Sequence, residues 1–346
     1  MHPALLTSEA ADIRRGSGTA VAAANLVEAF LLNGVQLTVF RGGENALGHG
    51  VARARFNRTA WCDASMYDVA LGIGGDGQVM AARGRLPFVA LPKALYGSVM
   101  AHEGGVTRLL LHRHAALERR SAVAASLVLV PSRFAAGVVH DDFGVPWSRI
   151  EVIPEPFATA RWRSAAPAAG REGRRALIVA HLYARKRVAD VVAAWPAVRR
   201  VHRHALLDIA GDGPAGPSLR RAAAGVDGVR IHGHVAPERV RAMYARADLL
   251  VSASAHETFG YSVVEGLASG LPLVVAAAPA VAELCAGAIA EQVDVGDVAA
   301  LAGAISASLD PAVAQAAAAV NPGLTDRFES VKVGATYLDA LRTLGA

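Results

Sequence analysis

Residues Leu249–Val275, LLVSASAHETFGYSVVEGLASGLPLVV, constrain the chain more than any other stretch. A short apolar run (Leu249–Ser254) leads into a polar loop (Ala255–Gly260), then a helical segment over about Tyr261–Ser269, then a second apolar run. Gly270 just past the helix, with Pro272 beyond it, is a common way to stop one. Strand, helix and strand in that order make a β-α-β unit of an open parallel sheet. Ligands of such sheets bind where a strand ends and the next helix begins. Two acids sit there, Glu257 in the loop and Glu265 inside the helix. A helix N-terminus alone would suit a phosphate. An ionised carboxylate is acceptor-only, and it holds hydroxyl groups by charge-assisted hydrogen bonds.

Composition supports the same class. At 346 residues the chain fits two domains. With 53% hydrophobic and 5% aromatic residues, its interior is Ala, Val and Leu, which suits parallel strands covered by helices. Cys62 and Cys285 lie far apart and form no metal or redox motif, so a reducing compartment or simple burial is expected. No basic-then-apolar leader is visible, and no apolar run approaches the roughly 18 residues of a membrane span, so a cytoplasmic location is expected. The net charge of +5 suits anionic ligands. It is spread over Arg-rich helices without a basic–aromatic stripe, which argues against nucleic acid and does not favour membrane contact.

Two acids at one spacing mean little, but their flanks carry more. His256-Glu257-Thr258-Phe259-Gly260 followed by Val264-Glu265-Gly266-Leu267-Ala268-Ser269-Gly270-Leu271-Pro272 resembles the E-x7-E signature of the retaining glycosyltransferases of family 4. The likeness is strong over Leu177–Leu284, fair at the tail and thin over the N-terminal half. It implies a GT-B fold of two Rossmann-like α/β domains facing across a cleft. The expected boundaries are 1–157 for an acceptor domain and 158–324 for a donor domain with a linker over 158–175. An amphipathic helix over 325–346 (Phe328, Val331, Tyr337 and Leu341) is expected to cross back to the first domain.

The rest of the chain is read in order. Ala4–Ser8, a glycine-bearing loop ending Arg14-Arg15-Gly16-Ser17-Gly18-Thr19, a helix (about Ala20–Leu32) and the strand Gln36–Phe40 form a first β-α-β unit. The resemblance brings the Gly18 loop near the donor phosphates; an ordinary turn explains it equally well. Gly72, Gly74 and Gly77 satisfy G-x-G-x-x-G, the dinucleotide fingerprint. The context fails, because Pro87 follows too soon for the usual helix and no acid lies at the ribose-binding distance. A mobile glycine loop is expected instead. After the strand Leu86–Leu91, Lys93 stands where many family members have a histidine facing the reacting sugar, with His102 downstream as the alternative. His112 and His114 flank Arg113 on a basic helix and read as a solvated face rather than a metal site. Pro131-Ser132-Arg133 resembles the family's Ser-capped helix start.

The second half restarts with Ala176–Ala180, then His181-Leu182-Tyr183-Ala184-Arg185-Lys186-Arg187. This resembles the family's diphosphate-neutralising segment, with Lys186 in the Lys place, His181 in the Arg place, and Arg185 or Arg187 supplying a second charge. A departing diphosphate needs such cations. Gly211-Asp212-Gly213-Pro214 resembles a tight turn near the cleft, and the backbone around Gly233, His234 and Val235 would meet the nucleobase.

The resemblance implies transfer, with retention, of a hexosyl or amino-hexosyl unit from a nucleoside-diphosphate sugar to an acceptor hydroxyl, giving an α-glycoside. UDP is the favoured nucleotide and GDP the alternative. Glu265 would hold the ribose hydroxyls, Glu257 the donor sugar, and the N–H groups around Thr258, Phe259 and Gly260 would fix that sugar. Glu257, Lys186 and Lys93 are the catalytic candidates. No metal or other cofactor is implied. For want of a lipid-docking helix, a small-molecule acceptor of the natural-product kind is favoured. The competing class is a non-catalytic subunit that only binds the sugar nucleotide.

Overall fold

The computed structural model describes residues 1–8, 18–42, 49–59, 65–163 and 174–344. The loop Arg14–Ser17, Cys62 and most of the expected linker lie outside them. The chain divides into two compact units, Met1–Phe157 with Phe328–Ala346, and Ala158–Arg327.

The first unit is built on β1 (Pro3–Thr7), β2 (Thr38–Arg41), β3 (Val69–Ile73), β4 (Phe88–Leu91), β5 (Leu127–Val130) and β6 (Ile150–Val152). They form one sheet in the order β2-β1-β3-β4-β5-β6 with every pairing parallel. β1, β3, β4 and β5 are buried on both faces, which explains their unbroken apolar runs. Alternation along each strand feeds two cores. Leu5, Leu71, Val89 and Leu129 meet Leu26 and Phe30 on one side, whereas Leu6, Ala70, Ala90 and Val128 meet Phe56 and Phe143 on the other.

The tail completes the first of these cores. The expected single helix is a 3-10 turn (Thr325–Phe328) and a helix (Ser330–Arg342), separated by Glu329, whose extended ψ of 130° breaks the run. Phe157 N–H donates to Phe328 O at 2.7 Å where the chain leaves and re-enters this unit. Ser330–Arg342 lies on the helix Gly18–Leu32, with Tyr337 edge-on to Phe30. A Cβ at Gly334 would lie 2.6 Å from Ala29 O, so glycine permits that approach.

The glycine segment after β3 is packed rather than mobile. Gly72, Gly75 and Gly77 are buried, and a Cβ on Gly72 would lie 2.1 Å from Asp76 O. Only the short helix Gln78–Ala81 follows. Asp76, fully buried, accepts from Ser8 N–H at 2.7 Å and Ser8 O–H at 2.8 Å, and its other oxygen pairs with Arg53 Nε at 3.0 Å. His114 is half-buried rather than solvated: its Nδ1 lies 3.2 Å from Arg53 Nη1 and its ring 5.2 Å from that of Tyr96. Glu118 is also fully buried and accepts the N–H groups of Ala94, Leu95 and Tyr96 (3.4, 3.3 and 2.8 Å). Burial pushes its carboxyl above the ordinary range against these bonds and the Arg53 charge.

Lys93 Nζ lies 2.5 Å from Glu155 Oε1, with only 7% and 3% of the two side chains exposed. The pair ties the loop after β4 to the segment after β6. Removing one partner strands a buried charge, so Lys93→Ala is expected to lower stability by about 3 kcal/mol. Lys93→Met combined with Glu155→Leu should recover most of it in denaturant unfolding followed by circular dichroism. Equal loss in both variants would contradict this.

Candidate functional site

The second unit contains β7 (Arg175–Val179), β8 (Leu206–Ala210), β9 (Val229–Gly233), β10 (Leu249–Ser252), β11 (Leu273–Ala276) and β12 (Ala290–Val293). Their order is β12-β11-β10-β7-β8-β9, again all parallel. From β7 the chain winds one way to β8 and β9, and from β10 the other way to β11 and β12. The two outgoing connections therefore diverge between β7 and β10, opening a crevice at the carboxyl ends of those strands.

Backbone bonds hold the rim of this crevice. Ala255 N–H donates to Arg185 O at 2.8 Å, joining the loop after β10 to the loop after β7. Leu182 N–H donates to Asp212 O at 3.0 Å, and Gly211 N–H to Gly233 O at 2.8 Å, extending the rim across β8 and β9. Gly211 has φ +138°, and a Cβ there would lie 1.8 Å from Ala180 O, so only glycine fits.

The loop after β7 ends in a 3-10 turn, Ala184–Lys186, and then Arg187 in the left-handed region (φ 49°), unusual for a side chain of its size. Arg187 Nε pairs with Asp190 at 2.6 Å. Lys186 Nζ donates to Glu257 Oε1 on the other loop, and the two side chains are 17% and 14% exposed. A small cavity beside the pair is lined by Val179, Ala180, Ser254 and Ser262. Burial pushes the Glu257 carboxyl up, but the Lys186 charge and hydrogen bond, a bond from Ser254 and the Arg185 charge together leave it below its ordinary range. Glu257 is thus a carboxylate at neutral pH.

Glu265 differs. It lies half-buried on the helix Tyr261–Ala268, entered through Gly260 at φ +103°. Its Oε2 accepts from Tyr244 O–H at 2.7 Å. Burial raises its carboxyl from the ordinary 4.5 to about 7, against the lowering effect of that bond. Tyr244 is fully buried, also donates to Ser262 O at 3.1 Å, and meets Trp162 edge-on at 5.1 Å. Burial, then the Glu265 charge, pushes its own hydroxyl well up.

His181 lies on the loop after β7, and its Nε2 is buried without a hydrogen-bond partner among the described residues. A buried donor or acceptor left like this is costly unless something else meets it. Arg185 places its guanidinium carbon 4.5 Å over the Tyr183 ring. Phe259 is buried edge-on to Tyr261, and Thr258 is half-buried beside it. Gly233 ends β9 at φ +69°, followed by exposed His234 and half-buried Val235. Gly18 opens its helix in the first unit and is exposed, and His102 is exposed at the end of a 3-10 turn. Among the described residues no three metal-ligating side chains cluster.

Two features escaped the sequence reading. Tyr244 entered it only as part of a pattern before β10. The helix Pro311–Leu324, capped by Asp310 accepting from Ala312 N–H, packs against Tyr261–Ala268 and was signalled by Asp-Pro before an alanine run. Its buried Asn321 bridges Leu271 O and Ile289 N–H at 2.8 Å each, fixing the strand starts behind the site. Cys285 is buried near Arg327, and burial raises its thiol to about 12.

Comparison with known proteins agrees with this geometry. Residues 173–333 match the family model described as glycosyl transferases group 1. Glycogen synthase of Mycobacterium tuberculosis is 31% identical over 240 residues, 66% of this chain and 56% of that protein. Alpha-monoglucosyldiacylglycerol synthase of Streptococcus pneumoniae is 35% identical over 92 residues, 26% of this chain and 21% of that protein. The chain thus spans about half the length, or less, of these curated relatives. Among solved structures, sucrose-phosphate synthase from Thermosynechococcus elongatus superposes with TM-score 0.79 at 19% identity, covering 99% of each chain. Anabaena HepE in complex with UDP-glucose gives 0.73 at 18% identity, covering 99% of this chain and 100% of that one. At such identities the likeness speaks for the fold alone, and that fold is GT-B.

The raised carboxyl of Glu265 has a definite sign. Between pH 4.5 and about 7 the folded chain holds a proton there that the unfolded chain has released, so this group's contribution to stability falls as pH rises through that window. The full effect is at most about 3 kcal/mol. Glu265→Gln should therefore gain stability over the parent at pH 8 but not at pH 4. Tyr244→Phe should raise the Glu265 titration midpoint further in a carboxyl-labelled NMR titration. An unmoved or lowered midpoint would refute the coupling.

Proposed function

We propose that the protein is a retaining glycosyltransferase that moves a hexosyl unit from a UDP-sugar to an acceptor hydroxyl. The observation that carries this reading is the placement of Lys186 and Glu257 together at the crevice between β7 and β10, with Glu265 and Tyr244 on the next helix. The region also lies within the match to group 1 glycosyl transferases. HepE, which shares the fold, has been seen with UDP-glucose.

Each group has a role that follows from its environment. Glu265, partly ionised at neutral pH, accepts the ribose hydroxyls, and its bond from Tyr244 fixes the carboxylate plane. Lys186, with Arg185 and the buried Nε2 of His181, receives the diphosphate, whose negative charge grows as the sugar leaves. Diphosphate oxygens compete with Glu257 for the Lys186 ammonium, so Glu257 turns its second oxygen to the sugar hydroxyls. As a carboxylate it also stabilises positive charge near the anomeric carbon. The departing phosphate takes the acceptor proton, so retention needs no protein nucleophile, and no step requires a metal. The backbone at Gly233, His234 and Val235 meets the base, and that of Thr258, Phe259 and Gly260 the sugar. The first unit, including the Gly18 turn, supplies the acceptor side. Lys93, engaged with Glu155, is assigned to structure rather than to chemistry.

Two measurements test this. UDP release from UDP-glucose, assayed across acceptor alcohols, should drop about a hundred-fold in Glu257→Gln, with circular dichroism unchanged. Proton NMR of the product should show an α-linkage. UDP binding without turnover on any acceptor would assign the chain to a non-catalytic subunit, and a β-linked product would overturn retention.

A further inference from the structure

The helix Gly105–Ala124 follows the loop that carries Lys93 and His102, and its first half projects from the first unit. From Gly104 to Arg113 every residue is exposed except Thr107 and Leu111, which are half-buried. Three large apolar side chains lie there in the open: Val106 (74% exposed), Leu109 (71%) and Leu110 (58%). With Arg113 they fall at i, i+3, i+4 and i+7, so they share one face. Exposed apolar residues scattered singly need no explanation, but three on one face of a projecting helix do.

The charge on this helix is one-sided. Arg108, Arg113, Arg119 and Arg120 are exposed, and so is His112. The single acid, Glu118, is fully buried and turned inward to the N–H groups of Ala94, Leu95 and Tyr96. The helix therefore offers solvent an apolar tip bordered by cations and no anion of its own. A second copy docking symmetrically would set the same arginines against each other. An anionic lipid surface answers both features, taking the leucines at the headgroup–acyl boundary and the arginines at the phosphates.

We infer that the first half of the helix Gly105–Ala124 docks the protein on anionic membrane surfaces. No single helix among the described residues is long and apolar enough to cross a membrane, so this contact lies in the interface. It goes beyond the donor chemistry and does not depend on it. It also removes the ground for favouring a soluble acceptor, which was the lack of a lipid-docking helix.

Vesicle co-sedimentation of the full chain tests this, using phosphatidylcholine with and without phosphatidylglycerol. Binding should require phosphatidylglycerol and weaken with added salt. It should fall roughly ten-fold or more in Leu109→Ser with Leu110→Ser, and again in Arg113→Glu with Arg120→Glu. All four positions are exposed, so circular dichroism and UDP titration should match the parent, which separates this result from a failure of the donor reading. No binding to anionic vesicles, or full binding by the double serine variant, would overturn the inference. A parent dimer in sedimentation velocity that the serine variant loses, without vesicle binding, would assign the face to a second copy instead.

Discussion

The ion pair between Lys186 and Glu257 is the contact on which the second unit's chemistry depends. Two mostly buried charges of opposite sign are tolerated only in company, and each is delivered by a different loop. The loops meet because β7 and β10 are neighbours in the sheet although far apart in sequence. Their continuations diverge, so the carboxyl edge between them stays uncovered by any crossover helix. The bond from Ala255 N–H to Arg185 O then fixes the span across which the two side chains reach. Topology provides the crevice, and the pair gives it a chemical character.

The same edge keeps two glutamates in different states. Glu257 meets an ammonium and stays ionised; Glu265 meets a phenol and is shared between its two forms near neutral pH. The difference lies in the partner rather than in the residue type, and divided tasks for a pair of acids commonly arise this way. Tyr244 is the positioning residue of this arrangement. Buried under Trp162, it holds Glu265 without carrying charge itself.

Most of the second unit was legible in the sequence because its constraints are local. Apolar runs of strand length, Gly270 after a helix and Gly211 in a close turn each state their requirement within a few residues. The pairing of Lys186 with Glu257 was not legible as a contact, since it depends on strand order. The first unit shows the limit more clearly. Lys93 was aligned by its place after β4, yet its environment is set by Glu155, which comes from beyond β6. The glycines after β3 suggested mobility, whereas Phe88, Leu117 and Asp76 crowd them from other elements. His114 looked solvated because Arg53 and Tyr96, its neighbours in space, lie far from it in sequence. The exposed tip of Gly105–Ala124 was hidden for the converse reason. An apolar residue in a sequence does not declare whether anything will cover it.

The central claim is that the edge between β7 and β10 binds a nucleoside diphosphate through Glu265 and Lys186. Calorimetric titration of the purified protein with UDP, GDP and NAD, without added metal, addresses it most directly. The account predicts UDP binding in the micromolar range. Glu265→Ala should weaken it about ten-fold, equivalent to about 1.4 kcal/mol and the scale of one charge-assisted hydrogen bond. Lys186→Ala should weaken it at least as much. Binding of NAD in place of UDP, or UDP binding indifferent to both substitutions, would contradict the account.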